Sequence, residues 1–240
     1  MSKLIVDYPN AILIQGDARE VIPQLKGLIK FDLLVTDPPY GINYQSDYRE
    51  EKFDRINGDH DTSLAIDVIK YALSVLKEYR HLYIFGKYDL SALNIGGIVE
   101  LIWDKEHLGV GDLSSTWGKS HEYIQFGIYI HSRVAINKGR GNLTARLRKG
   151  SVLCSKRLHG EGMKYHPTEK PVDLLRQLIE SSSVMDDWVF DPFVGVGSTM
   201  VAALLEGRKV LGIEIEEKYC LIAKERIEKT LKQLEQLEEK

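Results

Sequence analysis

The sequence predicts an α/β fold built on a largely parallel sheet, and three observations carry that expectation. Short runs rich in Val, Ile, Leu and aromatics read as seven strands, most of them buried on both faces: 11–15, 31–36, 81–85, 98–103, 122–130, 188–191 and 209–214. Helical patterns lie between several of them, at 61–79, 171–182, 198–207 and 217–238. Strands alternating with helices imply βαβ units. Asp17, Asp37, Asp191 and Glu214 fall at strand ends. An open α/β sheet binds ligands outside the carboxyl ends of its strands, so these acids can converge although far apart in the chain.

The bulk numbers fit a globular protein. The chain has 240 residues, 43% hydrophobic and 28% charged. No uninterrupted apolar run is long enough to span a bilayer. The opening MSKLIVDYPN is broken by Asp7 and does not read as a signal peptide. Two cysteines, Cys154 and Cys220, make no disulfide framework. The expectation is a cytoplasmic protein with no membrane partner.

The first strand, AILIQ, leads through Gly16 to Asp17 and then into a helix. Asp17 suits an N-cap. It also suits an acceptor for an adenine amino group, and both roles can hold together. The second strand, FDLLVT, runs into DPPY at 37–40. Proline ends a strand because it has no N–H for the ladder. Asp before Pro is an ordinary turn opener, so this stretch alone leaves the choice between a turn and a functional acid open.

Strands 98–103 and 122–130 have no clear helix between them and read as an antiparallel edge. Residues 131–165 show little periodicity and hide a charge asymmetry. Arg133, Lys138, Arg140, Arg146, Arg148, Lys149, Lys156, Arg157 and Lys164 face the single acid Glu161, a net +8. With −3 overall, the rest of the chain carries −11. One basic patch on an acidic body is the footprint of a polyanion site; the plainer reading is a solvated loop. The expected organisation is one domain, 1–130 with 166–240, and a basic insertion at 131–165 outside the sheet.

HPTEKP at 166–171 precedes a helix, with Pro171 near its first turn. Thr168 and Lys170 can reach a ligand carboxylate there, or the segment is a plain helix start. Residues 189–219 then give a strand ending at Asp191, a glycine loop, a helix, and a strand ending at Glu214. Glycines let a ligand approach the backbone, and the helix N-terminus aims amide N–H groups at it. Gly195 and Gly197 are present, but Met200 stands where a dinucleotide fingerprint has its third glycine. A carboxylate at the loop repels a pyrophosphate and suits an ammonium. A nucleoside with an amino-acid tail fits both acids, with ribose at Glu214 and the ammonium near Asp191. S-adenosylmethionine is such a ligand.

Metal chemistry is not expected, because Cys154, His159 and His166 are too loosely spaced for zinc. The last helix ends in LKQLEQLEEK, too short for a coiled coil, and leaves a homodimer contact open.

Together DPPY at 37–40, HPTEKP at 166–171, DPFVGVGST at 191–199 and GIEIEEKY at 212–219 resemble the amino-methyltransferases of DNA. The motif order resembles their permuted β group: catalytic motif, basic target-recognition region, then cofactor motifs. The resemblance implies a Rossmann-like seven-stranded methyltransferase sheet, S-adenosylmethionine as donor, and methylation of an exocyclic amine on a flipped base of double-stranded DNA. It implies that Asp37 and the Pro38 carbonyl accept hydrogen bonds from the target amine. Pro39 helps to fix their geometry, and Tyr40 stacks on the base. Phe193 packs near the cofactor, and the loop with Gly195, Gly197, Ser198 and Thr199 wraps its methionine part. Asp191 then sits by the ammonium, Glu214 takes the ribose and Asp17 the adenine. An Asp-led motif resembles adenine N6 enzymes more often than cytosine N4 enzymes. The cytosine N4 alternative stays open, as does a non-catalytic subunit of the same fold. A restriction endonuclease partner is also left open.

Overall fold

The computed structural model describes residues 2–39, 62–106, 116–118, 120–130, 149–156 and 169–238. Along the chain the elements are β1 (Lys3–Tyr8), β2 (Ala11–Gln15), α1 (Ala18–Leu25), β3 (Phe31–Thr36), α2 (Ser63–Val75), β4 (Leu76–Phe85), β5 (Ile95–Asp104), β6 (His121–Tyr129), β7 (Val152–Cys154), α3 (Val172–Ser182), β8 (Trp188–Asp191), α4 (Ser198–Leu205), β9 (Lys209–Glu214) and α5 (Glu217–Glu238). They build a mixed α/β fold around one sheet of order β1-β2-β9-β8-β3-β4-β6-β5-β7.

The five middle strands, β2, β9, β8, β3 and β4, are parallel. Their side chains alternate between two covered faces. On one face Leu33, Val35, Val189 and Val210 meet the buried sides of α3, α4 and α5. On the other Leu34, Phe190, Leu211 and Ile213 meet α1 and α2. All six residues of β3 are buried, as its apolar run requires. Phe31 and Phe190 stack across adjacent strands with ring centroids 4.4 Å apart.

Outside this core the pairing turns antiparallel: β1 on β2, and β6 on both β4 and β5. The expected antiparallel pairing of β5 with β6 is therefore present. Among the described residues the sheet has nine strands, not seven. β1 was not expected because it is an edge strand that buries only Val6, so its sequence has no clean apolar alternation. β7 is three residues long and pairs parallel with β5, Trp103 opposite Leu153. It lies inside 131–165, so that segment is not wholly outside the sheet.

β4 begins at Leu76, five residues before the expected strand, because α2 stops at Val75 and runs directly into it. Its polar first half hides the change. Tyr79, with φ 63°, sits where the β3–β4 register slips. No helix among the described residues is long and apolar enough to cross a membrane.

Candidate active site

β2, β3, β8 and β9 run in one direction, so their carboxyl ends meet along one edge. A cavity of about 380 Å³ opens there. Asp17, Asp37, Asp191 and Glu214 all line it, as do Pro38, Pro39, Phe193, Gly195, Ser198, Thr199 and Lys170.

The floor is the glycine loop between β8 and α4. Gly197 takes φ 87° at the helix N-cap, and Gly195 takes φ 54°. Those angles favour residues without a Cβ. The loop is stitched to β9 from both sides. Val194 N–H donates to the Ile213 carbonyl at 3.0 Å, and Gly195 N–H donates to Glu214 Oε2 at 2.8 Å. Glu214 Oε1 accepts from Glu216 N–H at 2.8 Å. Burial raises the Glu214 pKa, and these backbone donors oppose the rise. Met200 explains itself here. It is fully buried, and a Cβ on Gly212 of β9 would lie 2.9 Å from its sulfur and 2.1 Å from Val194 Cγ2. The small residue that a dinucleotide helix carries is supplied by the strand instead.

Arg226 of α5 braces the loop from behind. Its Nη1 donates to the Val196 carbonyl at 2.8 Å and pairs with Glu169 Oε1 at 2.7 Å. Ser198 Oγ donates to the same Glu169 oxygen at 3.0 Å. The segment before α3 is thereby tied to the loop.

Asp191 is almost fully buried. It accepts from Thr36 Oγ1 and from Phe193 N–H, each at 3.0 Å. Burial dominates and pushes its pKa up to about 7, against hydrogen bonds from Thr199, Phe193 and Thr36. Asp17 does cap α1, accepting from Arg19 N–H at 2.8 Å. Its other oxygen holds the Arg19 guanidinium at 2.6 Å, and this bond keeps its pKa below the ordinary value.

Asp37 leaves β3 at the opposite side of the cavity. Lys170 Nζ lies 2.7 Å from Asp37 Oδ2 and 3.3 Å from Glu122 Oε2. Lys105 pairs with Glu122 at 2.6 Å. Lys170, which the sequence suggests can reach a ligand carboxylate, lines the cavity with its ammonium against Asp37 and Glu122. Burial works against the charge, but the two carboxylates outweigh it and raise the Lys170 pKa. Tyr88 Oη donates to the Pro38 carbonyl at 3.0 Å.

Tyr40, Thr168, Arg133, Lys138, Arg140, Arg146, Arg148 and Arg157 lie outside the described residues. Lys149 pairs with Glu180 at 2.8 Å, and Lys156 is exposed. Sequence reasoning missed Arg19, Tyr88, Glu122, Glu169 and Arg226. Their available signal was position: Tyr88 and Glu122 lie at the sheet edge that carries the acids, and Glu169 lies inside HPTEKP.

A family model described as DNA methylase, of the N6/N4 methyltransferases, matches residues 137–225. The putative methylase YubD of Escherichia coli K12 is 31% identical over 220 residues, which span 89% of this chain and 88% of YubD. The chain belongs to the N6/N4 DNA methylase family. Two solved members of the fold superpose on this methylase. M1.HpyAVI, crystallised as a SAM complex, gives a TM-score of 0.67 at 20% identity over 90% of this chain and 98% of its own. The PvuII DNA methyltransferase, named as cytosine-N4-specific, gives 0.67 at 15% over 96% and 93%. At such identities the likeness is one of fold.

Proposed function

We propose that this methylase transfers a methyl group from S-adenosylmethionine to the exocyclic N6 amine of an adenine flipped out of double-stranded DNA. One observation supports the reading most: the Asp37–Pro38–Pro39 turn and the acid-flanked glycine loop open on the same cavity.

The cavity suits the donor. Gly195 has open space where a Cβ would stand, which leaves room beside the loop backbone. Asp191 suits the donor's ammonium and Glu214 its ribose hydroxyls. Asp17 suits the adenine amino group, sharing its carboxylate with Arg19. When bound, S-adenosylmethionine supplies a methyl group on a sulfonium, whose S–C electron pair leaves with sulfur.

The chain's own residues act on the amine. Its lone pair is delocalised into the base and is a poor nucleophile. Asp37 and the Pro38 carbonyl accept its two N–H groups and draw the nitrogen toward tetrahedral geometry. A carboxylate offers about four acceptor sites, so Asp37 can hold Lys170 and the amine together. Lys170 stands against that carboxylate as its counter-ion. As the N–C bond forms and the S–C bond breaks, the nitrogen sheds one proton along the Asp37 hydrogen bond to water. Catalysis is then positioning and electrostatics, with no covalent enzyme intermediate.

Adenine is preferred to cytosine because the motif is led by Asp37. The direct test incubates the protein with labelled S-adenosylmethionine and unmethylated duplex DNA, then digests the DNA to nucleosides. N6-methyladenine is expected. N4-methylcytosine would keep the mechanism and overturn the base; unlabelled DNA, with cofactor binding intact, would point to a non-catalytic subunit.

A further inference from the structure

The turn that would receive the target amine has an unusual anchoring problem. Pro38 and Pro39 carry no backbone N–H. The two prolines themselves can be hydrogen-bonded only through their carbonyl oxygens. Among the described residues, Lys170 holds the Asp37 carboxylate, and Tyr88 reaches the carbonyls. Tyr88 Oη lies 3.0 Å from the Pro38 oxygen and 3.3 Å from the Pro39 oxygen.

Tyr88 is itself fixed. It is buried, at 7% exposure. Gln125 clamps its backbone with both ends of one amide: Oε1 accepts from Tyr88 N–H at 2.8 Å, and Nε2 donates to the Tyr88 carbonyl at 3.0 Å. Gln125 is buried on β6, in register opposite Ile84 of β4. Gly86, with φ 103°, turns the chain out of β4 and donates to the Tyr123 carbonyl at 2.8 Å. The tyrosine thus reaches the turn from the antiparallel side of the sheet, away from the cofactor loop.

We infer that Tyr88 is a positioning residue for methyl transfer, holding the Pro38 carbonyl as a preset acceptor for the target amine; this rests on the function proposed above. A carbonyl oxygen has two lone pairs, and a hydroxyl has one hydrogen. In the unliganded protein the hydroxyl satisfies the Pro38 oxygen. When the amine arrives, the hydroxyl can turn 0.3 Å further away to Pro39 while the amine takes Pro38. The acceptor is aligned before the reaction and needs no reorganisation during it. Gln125 acts through Tyr88, by keeping the ring at that distance.

The test is Tyr88→Phe, which removes the hydroxyl and keeps the ring. Single-turnover transfer should slow about tenfold, equivalent to about 1.4 kcal/mol in the barrier. The Kd for S-adenosylmethionine and the melting temperature should stay near wild type. Gln125→Leu should also slow transfer, and the double variant should be no slower than the slower single one. Transfer by Tyr88→Phe within twofold of wild type overturns the inference. So does loss of cofactor affinity in step with rate, which marks a purely structural role, and so do additive losses in the double variant. Wild-type protein that binds the cofactor yet methylates no DNA overturns the proposed function, and the inference with it.

Discussion

The buried Lys170 and the half-buried Asp37 form an ion pair, 2.7 Å apart, that joins the segment before α3 to the end of β3. Lys170 is 6% exposed, and Glu122 shares its ammonium. A buried cation with two carboxylates is stable only while both remain, because removing one partner strands a charge. Asp37→Ala is expected to abolish methyl transfer while leaving cofactor affinity within a few fold, measured by calorimetry beside an activity assay. Near-normal turnover would exclude Asp37 as an acceptor. Asp37→Asn, which keeps an acceptor oxygen but not the charge, should retain slightly more activity.

The proposed pairing of Asp191 with the donor's ammonium predicts that cofactor binding depends on pH. Its pKa of about 7 means that the carboxyl is largely protonated at pH 6 and largely ionised at pH 8. An ammonium binds the ionised form. Affinity for S-adenosylmethionine should therefore rise about tenfold from pH 6 to pH 8, and Asp191→Asn should remove that rise. For stability the sign is opposite. The folded pKa lies above the unfolded one, so this group's contribution is present below about pH 4 and is lost as pH rises through 7. A flat titration of affinity in the wild type would separate Asp191 from the ligand.

His81 carries the reverse dependence. It is buried against Ser182, Nδ1 to Oγ 2.7 Å, and burial lowers its pKa to about 4. Its neutral form is the folded one. Stability is complete above the ordinary histidine pKa near 6.5 and is lost as pH falls from there through 4. The loss at pH 4 is roughly 3 kcal/mol. Urea unfolding of His81→Asn should show a correspondingly smaller decline between pH 7 and pH 4.

Of the fold, the parallel core was readable because doubly buried strands are almost wholly apolar and long-range pairing leaves that mark on every residue. β1 and β7 were not, since an edge strand needs only one good face and a three-residue strand has no period. In the site, the convergence of the four acids was readable because each ends a strand. The partners of those acids were not. Arg19 pairs with Asp17 at short range, but Tyr88, Glu122 and Arg226 reach their targets across 30 to 50 residues of chain, where no spacing rule applies. Lys170 shows the limit well: its presence in HPTEKP was plain, but its contact with both Asp37 and Glu122 depends on β4 lying between β3 and β6.

Gly197→Ala should test the loop geometry. At φ 87° a Cβ would be strained, and it would lie 3.0 Å from Ala223 Cβ. The variant should lose about 1–2 kcal/mol of stability and weaken cofactor binding. Gly150→Ala, where the added methyl meets open space, is the control and should be neutral.

Charge reversal at Arg146 and Arg148 should weaken DNA binding and leave cofactor affinity unchanged. If each contacts one phosphate, the slope of log affinity against log salt should fall by about 2. Unchanged DNA affinity in a titration would remove both residues from the interface.

The strand order has a consequence for how the protein is made. β9 and β8 stand between β2 and β3, so the two early strands have no direct contact with each other. A nascent chain that has emerged only as far as β7 holds a sheet with a gap two strands wide. Its apolar edges stay uncovered until the last third of the polypeptide leaves the ribosome. Folding therefore waits on synthesis, and a chain stalled or cleaved before Glu214 is a ready substrate for chaperones, for proteases or for aggregation.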